Sequence, residues 1–208
     1  MTRRRPSSRS RPDNHSSKGN GRLRIIGGEF RRRLLPVLDR PGLRPTPDRV
    51  RETLFNWLAA ATPGARVLDL FAGTGALGLE ALSRGATEAL FVERDPQVAL
   101  ALGNNLQTLG AGDRGTVHSG DALALVANAP TDTPPFSLVF VDPPFRQDLA
   151  GLCCERLEQG WLTEDAWIYL ETETGLEVDI PKRWSLHREV RAGDSTGRLY
   201  RRQVSLGA

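Results

Sequence analysis

Apolar residues follow two alternating patterns along most of the chain. Short, mostly apolar runs predict buried strands, and segments with apolar residues every three or four positions predict helices. The predicted strands are residues 66–71, 88–93, 115–119, 136–141 and 166–172. The predicted helices are residues 76–84, 96–109, 122–127 and 147–159. Strands that alternate with helices indicate an α/β fold whose doubly wound sheet is mostly parallel.

Both ends of the chain depart from this alternation. Two further strands, residues 185–190 and 198–204, flank a turn with Gly and Ser, so we expect an antiparallel hairpin at the edge of a seven-stranded sheet. Residues 22–47 predict a short N-terminal β-hairpin extension followed by a proline-rich loop. Asp48 is expected to cap a helix over residues 49–61, at the start of a core that extends to residue 208.

Charge is unevenly distributed between the first quarter of the chain and the remainder. Residues 1–51 contain 15 Lys and Arg against four Asp and Glu, whereas the remainder contains 13 against 21. A basic arm on an acidic body favours binding to a polyanion such as nucleic acid. Residues 1–21 lack any hydrophobic period and are predicted to be a disordered basic tail, for which a solubilising role is equally open.

The remaining composition bears on cellular location. No apolar run is long enough to span a membrane, and no apolar segment of a secretory signal follows the basic N-terminus. The adjacent residues Cys153 and Cys154 suit a reducing compartment and are expected in the core. We therefore expect a cytoplasmic, monomeric protein that has no metal site and no membrane contact.

Acidic residues stand at or just after the ends of four predicted strands. Asp69, Glu93, Asp121 and Asp142 would meet at one edge of a parallel sheet, where doubly wound folds bind ligands. The segment Gly73-Thr74-Gly75-Ala76-Leu77-Gly78 matches the glycine pattern of nucleotide-binding turns. Glu93 lies near the spacing expected of an acid that binds a ribose. These features predict a nucleotide-like cofactor at this edge.

The identity of that cofactor is open on the glycine pattern alone. NAD-binding folds share the pattern, so a nicotinamide-dependent oxidoreductase is one alternative. Asp69 disfavours a diphosphate but suits a ligand with an ammonium group. S-adenosylmethionine carries such a group, together with a ribose for Glu93 and an adenine amino group for Asp121. Asp121 can also be the N-cap of the next helix, and both roles can coexist.

The fourth predicted strand ends in Asp142-Pro143-Pro144-Phe145. Two prolines fix the backbone and remove two donors, which leaves carbonyl groups as acceptors. An aromatic amine becomes a better nucleophile when acceptors hold its hydrogens, and Asp142 and the Pro143 carbonyl can be those acceptors. Phe145 can stack on the base. The motif predicts methylation of an exocyclic amine, with adenine, cytosine or guanine in DNA or RNA left open.

These motifs carry a family resemblance. Asp69-Leu-Phe-Ala-Gly-Thr-Gly75 and Asp142-Pro-Pro-Phe145 resemble the Rossmann-like class I methyltransferases that act on amino groups. Arg44-Pro-Thr-Pro-Asp-Arg-Val-Arg-Glu-Thr-Leu-Phe-Asn-Trp57, with Arg24-Ile-Ile-Gly-Gly28, is similar to the ribosomal RNA small subunit methyltransferase D family. The resemblance extends over residues 22–204. It implies methyl transfer from S-adenosylmethionine to guanine N2 in 16S rRNA, free or in a small-subunit assembly intermediate.

The resemblance also implies roles for individual residues. The expected catalytic residues are Asp142, Pro143, Pro144 and Phe145. The expected cofactor-binding residues are Thr46, Asp69, Phe71, Ala72, Gly73, Thr74, Gly75, Glu93, Arg94, Asp121 and Ala122. The expected RNA-binding residues are Arg24, Arg31, Arg32, Arg33, Arg44, Arg49 and Arg51. For Arg49 and Arg51, bracing of the loop before the first helix is the alternative to RNA contact.

Three other functions compete with this interpretation, and the first is methylation of an amino group in another RNA. A DNA adenine methyltransferase needs additional chain to recognise sequence, and 208 residues leave little room for it. A non-catalytic RNA-binding factor on the same fold would not need the intact carboxylates and the Asp142–Phe145 motif.

Overall fold

The computed structural model describes residues 21–40, residue 43 and residues 46–204. Except for Gly21, the basic tail lies outside the described residues, as does Arg44, so the expectations for them stay predictions. Within the described ranges, no helix is long and apolar enough to cross a membrane.

The described residues form a seven-stranded sheet with helices on both faces and a separate two-stranded sheet. In chain order the elements are β1 (Arg22–Arg24), β2 (Leu34–Pro36), α1 (Asp48–Trp57), β3 (Arg66–Asp69), α2 (Ala76–Ser83), β4 (Glu88–Glu93), α3 (Pro96–Leu109), β5 (Gly115–Ser119), α4 (Ala122–Leu125), β6 (Phe136–Val141), α5 (Leu149–Leu157), β7 (Leu162–Glu173), β8 (Trp184–Ala192) and β9 (Ser195–Arg202). The large sheet has the order β5-β4-β3-β6-β7-β9-β8, and β1 pairs with β2.

Strand directions confirm the predicted doubly wound sheet. Strands β3 to β7 run parallel, and β9 is antiparallel to both β7 and β8. The hairpin of β8 and β9 therefore forms one edge of the sheet, as the sequence predicts. The pairing of β1 with β2 confirms the N-terminal hairpin extension.

Four elements have the bounds that the sequence pattern predicts, and the other bounds differ from it by up to four residues, as in β7, which begins at Leu162 instead of Ala166. The bounds of β4, β5, β6 and α3 are as predicted. Helix α1 ends at Trp57 instead of Ala61, because the chain tightens there and the Ala61 amide donates to the Leu58 carbonyl at 2.9 Å. Helix α5 begins two residues later than predicted, after Arg146 and Asp148 adopt left-handed backbone conformations.

Asp48 does not cap α1, so this prediction was wrong. Pro47 occupies the N-cap position without a side-chain bond, and Asp48 is the first helical residue. Its carboxylate instead pairs with Arg24 and Arg51, each at 2.6 Å. Although partial burial raises the pKa of Asp48, the bonds from the two arginines lower that pKa overall. The cations compete successfully with the free amides of the first helical turn for this carboxylate.

Alternate residues of the strands supply two apolar layers. Val67 and Phe140 face the layer packed with α1, α2 and α3, whereas Leu68 and Val139 face the layer packed with α4 and α5. Burial on both faces explains why the central strands are continuously apolar. Cys153 and Cys154 are buried in the second layer, and burial raises the pKa of Cys153 to about 12.

A buried carboxylate joins the N-terminal extension to the sheet domain. Glu80 of α2 is fully buried and accepts bonds from the Ile26 amide (2.9 Å), the Gly27 amide (2.8 Å), Arg51 Nη1 (3.5 Å) and Arg84 Nε (2.7 Å). The turn after β1, the first helix and the second helix thus share one acceptor group. A buried charge is tolerated only when it is paired in this way.

The turn after β1 also packs directly against the end of α2. The Glu29 amide donates to the Ser83 carbonyl at 2.7 Å, and the Phe30 amide donates to Ser83 Oγ at 2.9 Å. Gly28 has φ +75°, and a Cβ there would lie 1.8 Å from the Ser83 carbonyl oxygen. Only glycine fits this contact, which explains the Gly27-Gly28 pair in the sequence.

Replacement of Glu80 by Gln should reduce the free energy of unfolding by about 3–5 kcal/mol, because Arg51 and Arg84 would lose a buried carboxylate partner. Urea denaturation measures the change. Glu88→Gln is the matched control, since Glu88 is 45% exposed in its 2.7 Å pair with Arg66 and should cost less than about 1 kcal/mol. Equal losses in the two variants would contradict the assignment.

Candidate active site

The carboxyl ends of β3 and β6 mark the point where the strand order reverses. From β3, the chain proceeds outward through β4 and β5, and then returns to the other side of β3 as β6. Such a reversal leaves a crevice above the strand ends, where doubly wound sheets bind ligands. Asp69 ends β3 and Asp142 directly follows β6, so two predicted site residues flank this crevice.

Two of the predicted carboxylates hold the glycine turn between β3 and α2. Asp69 Oδ2 accepts from the Gly78 amide at 3.0 Å, and Glu93 Oε2 accepts from the Gly73 amide at 2.9 Å. Gly73 and Gly75 have φ values of +52° and +76°, which glycine adopts without strain. The turn therefore exposes backbone to the crevice in a shape that the acids maintain.

Asp69 is buried, although a residue whose only role is to contact a cofactor would be expected to be open to the crevice. It is 3% exposed, and burial, opposed by the Gly78 bond and supported by the nearby Glu93 carboxylate, raises its pKa to about 7. The bond to Gly78 gives Asp69 a structural role at the start of α2. Its direct contact with a cofactor stays a prediction.

The other predicted cofactor residues lie around the ends of β3, β4 and β5. Asp121 is the N-cap of α4 and accepts from the Ala124 amide at 2.9 Å, which confirms the capping role. Asp121 and Arg94 are exposed. Phe71 is half-buried, whereas three small neighbours in the predicted set are buried: Ala72, Thr74 and Ala122. A ligand that spans these strand ends would meet Glu93, Arg94 and Asp121 at its outer side.

The loop before α1 passes over the glycine turn. Thr46 is buried, and its carbonyl accepts from Arg51 Nε at 3.1 Å. Leu43 Cδ1 lies 3.1 Å from where a Cβ on Gly73 would stand. Leu43 thus lies next to the glycine turn, and the expected contact of Thr46 with a cofactor stays a prediction.

Arg51 braces this loop and does not reach the surface. Only 1% of its side chain is exposed, and it donates to the Arg24 carbonyl (2.8 Å) and Asp48 (2.6 Å) in addition to Thr46 and Glu80. Four protein acceptors engage its five N–H groups, and a guanidinium that is enclosed on all sides cannot reach a phosphate. The predicted RNA contact of Arg51 was therefore wrong, and the bracing alternative is correct.

The remaining described arginines of the predicted RNA set differ in availability. Arg31, Arg32 and Arg49 are exposed, and no ion pair among the described residues involves them. Arg24 is 58% exposed in its pair with Asp48. Arg33 is exposed but donates to the Thr108 carbonyl at 2.9 Å, near the end of α3. Arg31, Arg32 and Arg49 are thus the arginines best able to meet a phosphate.

Two residues of β7 complete the site, and the sequence interpretation missed both. The register pairs Phe140 with Tyr169 and Val141 with Leu170, which brings Glu171 beside Asp142 at the ends of neighbouring strands. Tyr169 Oη donates to Glu171 Oε2 at 3.0 Å, and both residues are buried. The available signal was Glu171 itself, an acid that follows the apolar run of residues 166–170 and continues the series of strand-end acids.

The environment of Asp142 disfavours its ionised form. Burial raises the pKa of Asp142 well above its usual range, and the carboxylates of Glu171 and Asp69 raise it further. Burial and Glu171 likewise raise the pKa of Tyr169. The phenol therefore keeps its proton and donates a hydrogen bond to Glu171. A ligand with a positive charge in this crevice would stabilise the ionised carboxylates.

The segment after β6 presents an aromatic side chain to solvent. Pro143 is buried, whereas Pro144 and Phe145 are exposed, Phe145 by 42%. The Arg146 amide donates to the Glu173 side chain, which ties the segment to β7. Phe145 is thus accessible to a base, although its predicted stacking role stays a prediction. No group of side chains suited to a metal ion occurs in the described part of the chain.

Comparison with known proteins agrees with this geometry. The family described as Conserved hypothetical protein 95 matches residues 23–201. Ribosomal RNA small subunit methyltransferase D of Escherichia coli (strain K12) is 53% identical over 194 residues, 92% of this chain and 94% of that protein. The solved structure of Escherichia coli yhhF has a TM-score of 0.80 and 51% identity, covering 89% of this chain and 100% of that chain.

A more distant structure shares the fold alone. It is an RNA methyltransferase from Salinibacter ruber in complex with S-adenosyl-L-homocysteine, with a TM-score of 0.59 and 19% identity over 79% of this chain and 97% of that chain. The sheet order, the glycine turn and the strand-end acids define a class I, Rossmann-like methyltransferase fold. Within that class, the chain belongs to the ribosomal RNA small subunit methyltransferase D family.

The raised pKa of Asp69 predicts a pH dependence of stability. The folded protein keeps a proton that the unfolded chain loses near pH 3.8, so the free energy of unfolding should fall as pH rises from about 4 to about 7. Asp69→Asn should remove the contribution of Asp69 to this pH dependence, which is on the order of a few kcal/mol of unfolding free energy. Urea denaturation across this pH range measures it. The exposed Asp113→Asn control should parallel the wild type, and an Asp69→Asn curve of unchanged slope would contradict the prediction.

Proposed function

We propose that this protein transfers a methyl group from S-adenosylmethionine to N2 of a guanine in the 16S rRNA of the small ribosomal subunit. The observation that carries the proposal is the Asp142–Phe145 motif at the topological switch point, with the glycine turn beside it. The family relatives, named as ribosomal RNA methyltransferases, support rRNA as the substrate class. The guanine N2 assignment follows from the family resemblance of residues 44–57.

The acidic side chains around the crevice fit S-adenosylmethionine better than a dinucleotide. Asp69, Glu93 and Asp142 are all acidic, and Arg51, the α1 residue that holds the loop, is bound to other protein groups. An acidic site would repel a diphosphate but would attract an ammonium and a sulfonium. Glu93 already accepts from Gly73 and Asp95, and its remaining lone pairs suit ribose hydroxyls. The S-adenosyl-L-homocysteine found in the Salinibacter ruber protein supports this ligand class.

S-adenosylmethionine, which the glycine turn, Glu93 and Asp121 would hold, would supply an electrophilic methyl group on a sulfonium. The exocyclic amine would give up one proton on methylation, and Asp142 is the acceptor that can take it up. The protein then has to orient the amine. Asp142 and the Pro143 carbonyl can accept its two hydrogens, and Phe145 can stack on the base. Holding the nitrogen in line with the methyl carbon removes much of the entropic barrier.

Arg31, Arg32 and Arg49 are proposed to bind RNA phosphates beside this site. All three are exposed, and Arg31 and Arg32 lie in the N-terminal extension that docks on α2 through Glu80. The extension is thus a basic surface fixed to the catalytic domain. A small-subunit assembly intermediate, as well as free 16S rRNA, offers phosphates for it.

Asp142→Ala should reduce methyl transfer by at least about 100-fold, the usual effect of removing one preorganised polar partner of a reacting group. The assay measures labelled methyl groups on rRNA from a strain that lacks this gene, followed by nucleoside analysis. Calorimetry should still detect S-adenosylmethionine binding.

The control for this experiment is Gln147→Ala, an exposed residue of the same segment that should retain activity. Full activity of Asp142→Ala, or label on adenine N6, would refute the proposal. An absence of S-adenosylmethionine binding by the wild type would favour a non-catalytic RNA-binding factor.

The double variant Arg31→Gln, Arg32→Gln should weaken RNA binding in a salt-dependent manner. If each arginine neutralises one phosphate, the slope of log affinity against log salt falls by roughly 0.7–0.9 per residue. Filter binding at several salt concentrations measures the slope. Arg188→Gln, an exposed residue of β8, should leave it unchanged; an equal loss from that control would argue against a localised basic surface.

A further inference from the structure

Glu171 has a position that the methyl-transfer proposal does not use. The parallel register of β6 and β7 ends at the pair Val141 and Leu170, and Asp142 and Glu171 are the next residues along the two chains. Because side chains alternate along a strand, Asp142 and Glu171 lie on the same face as Phe140 and Tyr169. The Glu171 carboxylate therefore stands next to the group proposed to hold the reacting amine, one strand further along the sheet.

Tyr169 fixes the orientation of this carboxylate. Its ring is fully buried, and its Oη donates to Glu171 Oε2 at 3.0 Å. The ring packs against Gly197 of β9, where a Cβ would lie 2.1 Å from Oη. The phenol thus occupies space that only glycine leaves open. A hydrogen bond between a fixed donor and one oxygen turns the other oxygen, Oε1, in a defined direction.

Glu171 Oε1 has no hydrogen-bond donor among the described residues. Glu171 is 8% exposed, and Tyr169 is the single donor to its side chain in the described part of the chain. Oε1 is not one of the fully buried atoms that lack a partner, so it can be reached from the crevice, and a ligand there can supply the missing donor. The carboxylates of Glu171 and Asp69 both act on the neighbouring Asp142. A ligand edge rich in hydrogen-bond donors would reduce the repulsion among these three groups.

Guanine offers the matching set of donors. Its N2 amine carries two hydrogens, and the adjacent N1 carries a third on the same edge. Asp142 and the Pro143 carbonyl account for the two amine hydrogens in the proposed mechanism, which leaves N1–H. Adenine instead presents an acceptor at N1 beside its amine, so a carboxylate at that point would repel it.

We propose that Glu171, oriented by Tyr169, accepts the guanine N1–H and is the residue that selects guanine over bases with an acceptor at N1. The inference rests on the proposed guanine N2 methylation and adds the residue that determines its specificity. Tyr169 is a positioning residue in this arrangement, because it acts through Glu171.

The test uses 16S rRNA in which the mapped target guanosine is retained or replaced by 2-aminopurine, joined by ligation of synthetic RNA. 2-Aminopurine keeps the amine but has an acceptor at N1. The wild-type protein should methylate the guanosine RNA at least about 100-fold faster than the 2-aminopurine RNA. Glu171→Gln should reduce this ratio to within about tenfold, because a glutamine amide can donate to the 2-aminopurine N1.

Two further variants separate specificity from folding. Tyr169→Phe removes only the hydroxyl and should lower the guanosine preference partly, while calorimetry shows unchanged S-adenosylmethionine binding. Glu164→Gln changes an exposed glutamate of the same strand and should keep the wild-type ratio. The fluorescence of 2-aminopurine reports entry of the base into the site without relying on activity.

Each outcome is decisive. A wild type that methylates both RNAs at similar rates, or a Glu171→Gln variant with the wild-type ratio, overturns the role of Glu171 while leaving guanine N2 methylation in place. A wild type that methylates neither RNA, either free or assembled into a small-subunit particle, overturns the proposed function and this inference together. A collapse of the ratio in Glu171→Gln, with base entry retained, supports the assignment.

Discussion

The buried carboxylate of Glu80 is the contact on which the arrangement of the site depends. It accepts bonds from the turn of the N-terminal extension, from Arg51 of α1 and from Arg84 at the end of α2. Because Arg51 also holds the Thr46 carbonyl, this network sets the loop that passes over the glycine turn. The basic extension and the glycine turn are thereby held to one helix, so the proposed RNA-binding surface keeps a fixed position relative to the proposed reaction site.

The second constraint is the excess of acid at the switch point. Asp69, Asp142 and Glu171 lie near one another at strand ends, where burial raises the pKa values of the first two. This excess costs stability in the free protein, and a cation would relieve it. In the proposed function, the positively charged methyl donor and the donor-rich edge of guanine would supply that relief. The same carboxylates would then serve both binding and chemistry.

Residue patterns predicted most of the fold and part of the site. The alternation of apolar runs gave the seven sheet strands, and strand-end position correctly brought Asp69 and Asp142 to one crevice. The errors share a cause. Asp48 and Arg51 look like a helix cap and an exposed base in sequence, yet each is committed to partners far along the chain, and local pattern cannot reveal such partners.

The sequence by itself determined the order of elements, the glycine turn and the motif Asp142–Phe145, because these follow from local backbone preferences and hydrophobic periodicity. Tertiary structure alone decided that Arg51 is a brace, that Glu80 joins three elements, and that Glu171 stands beside Asp142. Those facts depend on strand register and burial between distant segments. From the sequence alone, a charged side chain is predicted to be exposed. Only the packing of the folded chain shows whether water or protein groups surround it.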